Sequence, residues 1–268
     1  VLAVGEGTAA ALGRGMLVTR LGAEGVLRAR GGELEELPPP GEVVVTGATS
    51  PGGRGFRTVL HGLAPGFALV EVSEPSGPGS TRVLARTVLR ALDPVALARE
   101  IRTPVVTPHL QVLPGATVQM DPSCPGPPPG TFPVHPPPLA EPAVGPFPLE
   151  ELAGMASGVG PSDTTFAPLL HGAVGAVELR GWSGAGVLAV DGEVVLGEGS
   201  IFRGIIVARR LTLRGGASAI GAARVGEFVR VEGGGSVAGS PCLVETATRN
   251  IRILRRPQPV PGAWTGPG

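Results

Sequence analysis

Few side chains in this sequence could do chemistry on their own, and their spacing decides what kind. The four histidines are His61, His109, His135 and His171, and no two stand at the H-x-x-x-H or H-E-x-x-H spacing of a zinc-binding helix. Aspartate occurs only at 93, 121, 163 and 191, mostly in contexts that suit a helix cap or a turn. There is no G-x-S-x-G, the strained strand-to-helix turn that exposes a hydrolase serine. The stretch GATSPGGRG (47–55) has the glycines of a phosphate loop without the lysine and hydroxyl of G-x-x-x-x-G-K-[ST], and reads as a glycine-rich hairpin. GEGTAAALGRG (5–15) has no strand before it, as a dinucleotide-binding turn requires. Cys124 and Cys242 are too few for a four-ligand metal centre; they are either a disulfide formed in an oxidising compartment or two separate thiols. These patterns lead us to expect no enzyme, no cofactor and no metal.

Bulk composition narrows the partners. Formal net charge is zero and every one of the 22 basic residues is arginine, so no basic surface is set aside for a nucleic acid. Aromatic residues are 3% of the chain and tyrosine is absent, which removes the stacking platforms used for bases. No run of eighteen apolar residues occurs in the chain as given. Glycine (44) and proline (30) together reach the range in which disorder competes with folding, so a stable fold must come from a pattern that puts glycine to use.

That pattern is a repeat. VLAVDGEVVLGEGSIFRG (187–204), IIVARRLTLRGGASAIGA (205–222) and ARVGEFVRVEGGGSVAGS (223–240) align at eighteen residues, with Gly197, Gly215 and Gly233 in one column and Ser200, Ser218 and Ser236 in another. A finer period of six runs through Ala189, Val195, Ile201, Val207, Leu213, Ala219, Val225, Val231 and Val237. An α-helix has neither this period nor this tolerance of glycine. A β-solenoid with three six-residue sides per turn has both, because each turn buries an aliphatic column on its neighbour and glycines make the corners. PVVTPHLQVLPGATVQMD (104–121) repeats the spacing at Val106, Val112 and Val118. The expected core is these twelve residues, with 104–121 as the first rung.

The remaining chain must carry these rungs. Leu12, Met16, Leu17, Leu21, Val26 and Leu27 lie at loosely helical spacing, so 1–32 reads as an N-terminal helix with an apolar stripe. Strand-like runs at 42–48, 55–63, 66–74 and 80–92, joined by turn residues, suggest an antiparallel meander. DPVALAREI (93–101), with aspartate at the cap and proline next, reads as a helix. The division is therefore 1–32 helix, 33–103 α+β head, 104–121 first rung, 122–186 proline-rich insertion, 187–242 remaining rungs and 243–268 tail. The cysteines each follow a rung end, at 121 and 240. With rungs stacked in sequence order those ends stand three spacings of roughly 4.8 Å apart, beyond bridging reach. A cross-link then requires the proline-rich chain after Asp121 to run along the solenoid.

AEGVLRARGGELEEL, the meander GFALVEVSEPSGPGSTRVLARTVLRALDP, the cysteine turn MDPSCPGPP and the rungs from GVLAVDG to SPCLVETATRN together make the layout resemble pilin-like subunits. Those belong to type IV pilus and type II secretion assemblies, and the rungs are similar to bactofilin-like ones. The resemblance implies a non-enzymatic structural subunit of a bacterial surface filament or secretion pseudopilus. It implies a periplasmic, cell-surface or extracellular location, partners that are other pilin-like subunits or the chain itself, and membrane contact only through a segment ahead of Val1. Two other classes share the hexad period. One is a bactofilin-like scaffold or adhesive secreted solenoid. The other is the left-handed β-helix acyltransferases, trimers with a catalytic histidine between subunits, for which His109 is the sole candidate within the rungs.

Overall fold

A computed structural model describes residues 37–49, 55–124, 141–160 and 167–260. The expected N-terminal helix, with Leu12, Met16, Leu17, Leu21, Val26 and Leu27, lies outside the described residues, as do His135 and Asp163. The chain divides into two units, one running to Ala91 and resuming at Ile253, the other spanning Leu92–Arg252.

In the first unit, β1 (Val43–Thr49), β2 (Gly55–Ala64), β3 (Phe67–Gly77) and β4 (Ser80–Arg90) form an antiparallel meander where sequence alternation placed strands. Leu60, Ala68, Val70, Val72 and Leu89 are buried, while Glu71 sits opposite Arg86 and pairs with it at 2.8 Å. Such exposed cross-strand pairs add only a few tenths of a kcal/mol, so burial carries this sheet. The segment 243–268, read as a tail, supplies a fifth strand that pairs with β4 at Leu89 and Arg90.

The second unit opens with α1 (Pro94–Glu100), whose cap Asp93 accepts hydrogen bonds from the Val95 and Ala96 amides at 3.0 Å. Chain order then continues with β5 (Val105–Val106), β6 (His109–Val112), β7 (Thr117–Met120), the short hairpin β8 (Ala143–Val144) and β9 (Phe147–Pro148), and α2 (Leu149–Met155). Next come β10 (Leu169–Val174), β11 (Val177–Leu179), β12 (Ser183–Leu196), β13 (Ile201–Leu213), β14 (Ser218–Val231) and β15 (Ser236–Gly239). After these stand α3 (Pro241–Arg249) and α4 (Arg252–Arg255), the latter straddling the boundary between units and followed by β16 (Gln258–Pro259), the fifth strand of the meander.

Strands β10 to β15 stack in parallel as a β-solenoid of about four turns over residues 169–239. Its first turn is β10 and β11, inside the range that sequence reading gave to the proline-rich insertion. Its partners lie seventeen residues on, as in Leu169 against Gly186, where the sequence alignment ran at eighteen.

The hexad is real, but its phase changes once. One buried column runs Val190, Leu196, Phe202, Ala208 and a second runs Leu188, Val194, Ser200, Ile206; they resume at Leu213, Ala219, Val225, Val231, Val237 and at Leu211, Ala217, Ala223, Val229. The step across Ala208–Leu213 is five residues. At that corner β13 passes from Ala208 to Arg210, whereas β12 takes Val190 to Glu193 and β14 takes Val225 to Phe228, so β13 is one residue shorter there. A one-residue slip turns every following side chain over. Leu213, Ala219, Val225, Val231 and Val237 therefore belong to the solenoid core as read from sequence. Ala189, Val195, Ile201 and Val207 stand one position off it: Val195 and Ile201 are only partly buried, and Ala189 and Val207 are fully buried outside the central cluster. Those two share the outer face of β12 and β13 with the equally buried Val187 and Ile205, and α3 packs over β12, β13 and β14 through buried Val244 and Ala247.

The glycine column that matters sterically is another one. Gly186, Gly204 and Gly221 have φ of +122°, +133° and +135°, and a Cβ on each would run into a backbone carbonyl of the turn before. The serine column instead ties turns together. Buried Ser200 donates to the Leu179 carbonyl and accepts from the Trp182 amide, and Ser236 hydrogen-bonds Ser218 at 3.0 Å.

Candidate functional site: the terminal turn of the solenoid

Residues 104–121 occupy the end of the solenoid opposite to the one that sequence order implies. β5 and β6 pair with β14, Val105 against Ala223 and Val112 against Val231, and β7 pairs with β15, Val118 against Val237. The upstream segment thus follows β15 in space although it precedes β10 in the chain. An exposed parallel edge accepts any strand of the right phase, and the order of synthesis does not enter. Arg224 on β14 anchors the approach through Glu100 at 2.8 Å and the Ala143 carbonyl at 3.1 Å.

This placement corrects the route expected for the cysteines. Asp121 donates its amide to the Gly239 carbonyl at 2.7 Å, so the two rung ends are adjacent and not three spacings apart. Asp121 accepts from the Ser123 hydroxyl and amide, which hold its carboxyl below the ordinary range and turn the chain toward α3. Cys124 and Cys242 are disulfide-bonded with Cα atoms 5.9 Å apart, within the normal span.

In phase, Val105, Leu110, Val112, Ala116 and Val118 continue the two core columns, while Val106 stands one position off, against Arg224. Val105, Ala116 and Val118 pack on the central cluster. Leu110 and Val112, aligned with buried Val229 and Val231, keep 48% and 43% of their surface because among the described residues no further turn covers them. Leu113 and Asp121 donate their amides to the Val231 carbonyl of β14 and the Gly239 carbonyl of β15, and Thr117 donates to Gly235 in the turn between those strands. In a parallel strand alternate residues bond to opposite sides, so the amides of Leu110, Val112, Val118 and Met120 face outward. Thr103 to Met120 contains no Asp, Glu or Arg.

The other end is finished differently. The Gly172 amide on β10 donates to the Gly158 carbonyl, α2 packs over β10, and Val159 reaches the central cluster. Next to it, Glu178 on β11 pairs with Arg180 and Arg214, which hold its carboxyl below the ordinary range. Covered backbone and edge charges are the usual means of stopping strand addition. Among the described residues nothing covers the outward edge of 104–120, and that stretch holds no Asp, Glu or Arg.

Three of the histidines lie within the described residues, each on a different strand. His61 lies on β2 of the first unit and His109 is exposed on β6. His171, 1% exposed on β10, sits edge-on to Trp182 at 5.3 Å and to Phe202 at 6.4 Å, and hydrogen-bonds the Ala185 backbone. Burial pushes its pKa below the usual 6.5, outweighing that hydrogen bond. Stability from neutral His171 is therefore complete above about pH 6.5 and is lost as pH falls below it toward the folded value. Thermal melts at pH 7 and pH 5 should show a larger drop for the native protein than for His171→Leu; equal drops would mean that charging His171 costs nothing.

Among the described residues no three His, Cys, Asp or Glu side chains group as metal ligands, and no helix is long and apolar enough to cross a membrane. Compared with family models, curated proteins and solved structures, the chain matches none. The site thus rests on its own geometry. Sequence reading missed it because the hexad that marks a buried rung equally marks an uncovered one.

Proposed function

We propose that this protein is a structural subunit of a bacterial surface filament or secretion assembly, docking through the open terminal turn of its solenoid. One observation carries the reading: a paired, cross-linked and uncharged sheet edge whose outward amides and apolar columns end at Leu110, Val112, Val118 and Met120. An edge of this kind recruits another strand, and a protein that works alone ordinarily blunts it. The disulfide supports an oxidising compartment outside the cytoplasm. The resemblance to pilin-like subunits supports the kind of assembly.

The test is replacement of Leu110 by lysine in the gene at its native locus. Leu110 is half exposed, so folding survives, while the lysine places a solvated charge on the docking edge. We expect the protein recovered in sedimentable surface assemblies to fall at least about tenfold, the effect of roughly 1.4 kcal/mol per contact. Unchanged recovery would overturn the proposal.

A further inference from the structure

We propose that the occupant of the terminal turn is the terminal turn of a second copy of this chain, joined across a two-fold axis with its strands antiparallel to β6 and β7. This rests on the reading of that turn as a docking surface and names its partner.

Charge selects the occupant. Thr103 to Met120 contains no Asp, Glu, Lys or Arg, so it offers no fixed charge to a charged partner and none to repel its own image. Among its exposed polar side chains along the strands, Gln111, Thr117 and Gln119 both donate and accept and so suit a self-complementary contact. Charge disfavours the head-to-tail alternative. At the opposite end Leu169 and Val174 are also exposed, but the Gly172 amide on β10 is met by the Gly158 carbonyl, α2 packs over β10, and the β11 edge is flanked by the Glu178, Arg180 and Arg214 charges, so among the described residues the 104–120 end is the uncharged one. Joining like ends is an isologous contact, which closes as a two-fold pair. Under that symmetry strands meet antiparallel, the more stable ladder per residue. The outward amides of Leu110, Val112, Val118 and Met120 then find carbonyls, and Leu110 and Val112 lose their exposure. The turn of residues 104–121 is close to the roughly 20 residues that a standard interface takes from each side.

The experiment uses the purified full chain with its disulfide intact, followed by sedimentation equilibrium and amide hydrogen exchange across the micromolar range. The mass should double with concentration, and protection should rise together with it at Leu110, Val112, Val118 and Met120. Leu110→Lys should weaken the dimer at least about tenfold, because the two-fold axis places one lysine near its copy. Val174→Lys, at the opposite end and already 79% exposed, should not. A monomer at every concentration, a dimer indifferent to Leu110→Lys, or protection confined to other amides each overturns the inference. Failure here is separable from failure of the proposed function. A monomer whose Leu110→Lys form still drops out of cellular assemblies keeps the docking surface and changes the partner. A dimer whose variant still enters assemblies keeps the partner and removes the function.

Discussion

Replacing both Cys124 and Cys242 by serine should lower stability by about 3–5 kcal/mol and the melting temperature by about 10 °C. The two cysteines stand 118 residues apart in sequence, so the cross-link removes much loop freedom from the unfolded chain. The effect should be local before it is global. β5, β6 and β7 join the solenoid by pairing with β14 and β15 and by packing Val105 and Val118 on its core, backed by Ala223 bonding the Pro104 carbonyl and by Arg224 holding Glu100. Without the cross-link this turn should open first, uncovering Val229, Val231 and Val237, which are now almost completely buried. Hydrogen exchange that rises at 105–120 and along β14 before it rises at β12 would bear this out. A variant melting within a degree or two of the native protein would show that strand pairing alone holds the turn.

Gly204→Ala should cost at least about 3 kcal/mol and leave little folded solenoid at moderate denaturant. Two penalties add. The φ of +133° is a region that alanine rarely enters, and the new methyl would meet the Gly186 carbonyl, which is backbone and cannot swing away. The neighbouring turn between β13 and β14 supplies the control. Gly216 has φ of +77° with open space around a would-be Cβ, so Gly216→Ala carries only the backbone term, about 1–2 kcal/mol. Urea unfolding of the two variants side by side checks the difference. Equal losses would mean that turns at Gly204 can move apart, contrary to the close carbonyl approach that defines that corner.

Much of the architecture was legible without coordinates, because local chemistry dictates it. Asp93 followed by Pro94 favours a helix start, since the carboxylate satisfies the first free amides and proline gives none up. Runs such as Phe67–Val72, alternating in burial, make half-buried strands irrespective of their neighbours. The six-residue recurrence of aliphatics with glycine and serine columns admits a stacked parallel solenoid and little else. The positions of Cys124 and Cys242 just past two rung ends were visible too, though not what brings those ends together. The candidate docking turn was recognised as a rung, and its openness was not.

What sequence determined, then, is the kind of element each stretch forms and the period with which it buries side chains. The tertiary structure alone decided which side of Val207 and Ala189 meets the solenoid interior, because one residue fewer between Ala208 and Arg210 reverses the phase on a single side of that corner. It alone decided that 169–182 begins the stack and that 104–121 ends it. Backbone hydrogen bonds between parallel strands carry no record of chain order, so a free edge is taken by whichever in-phase segment the connecting chain lets reach it. Here that segment comes from upstream, and the carbonyl of Gly239 beside the amide of Asp121 is what puts Cys124 within reach of Cys242.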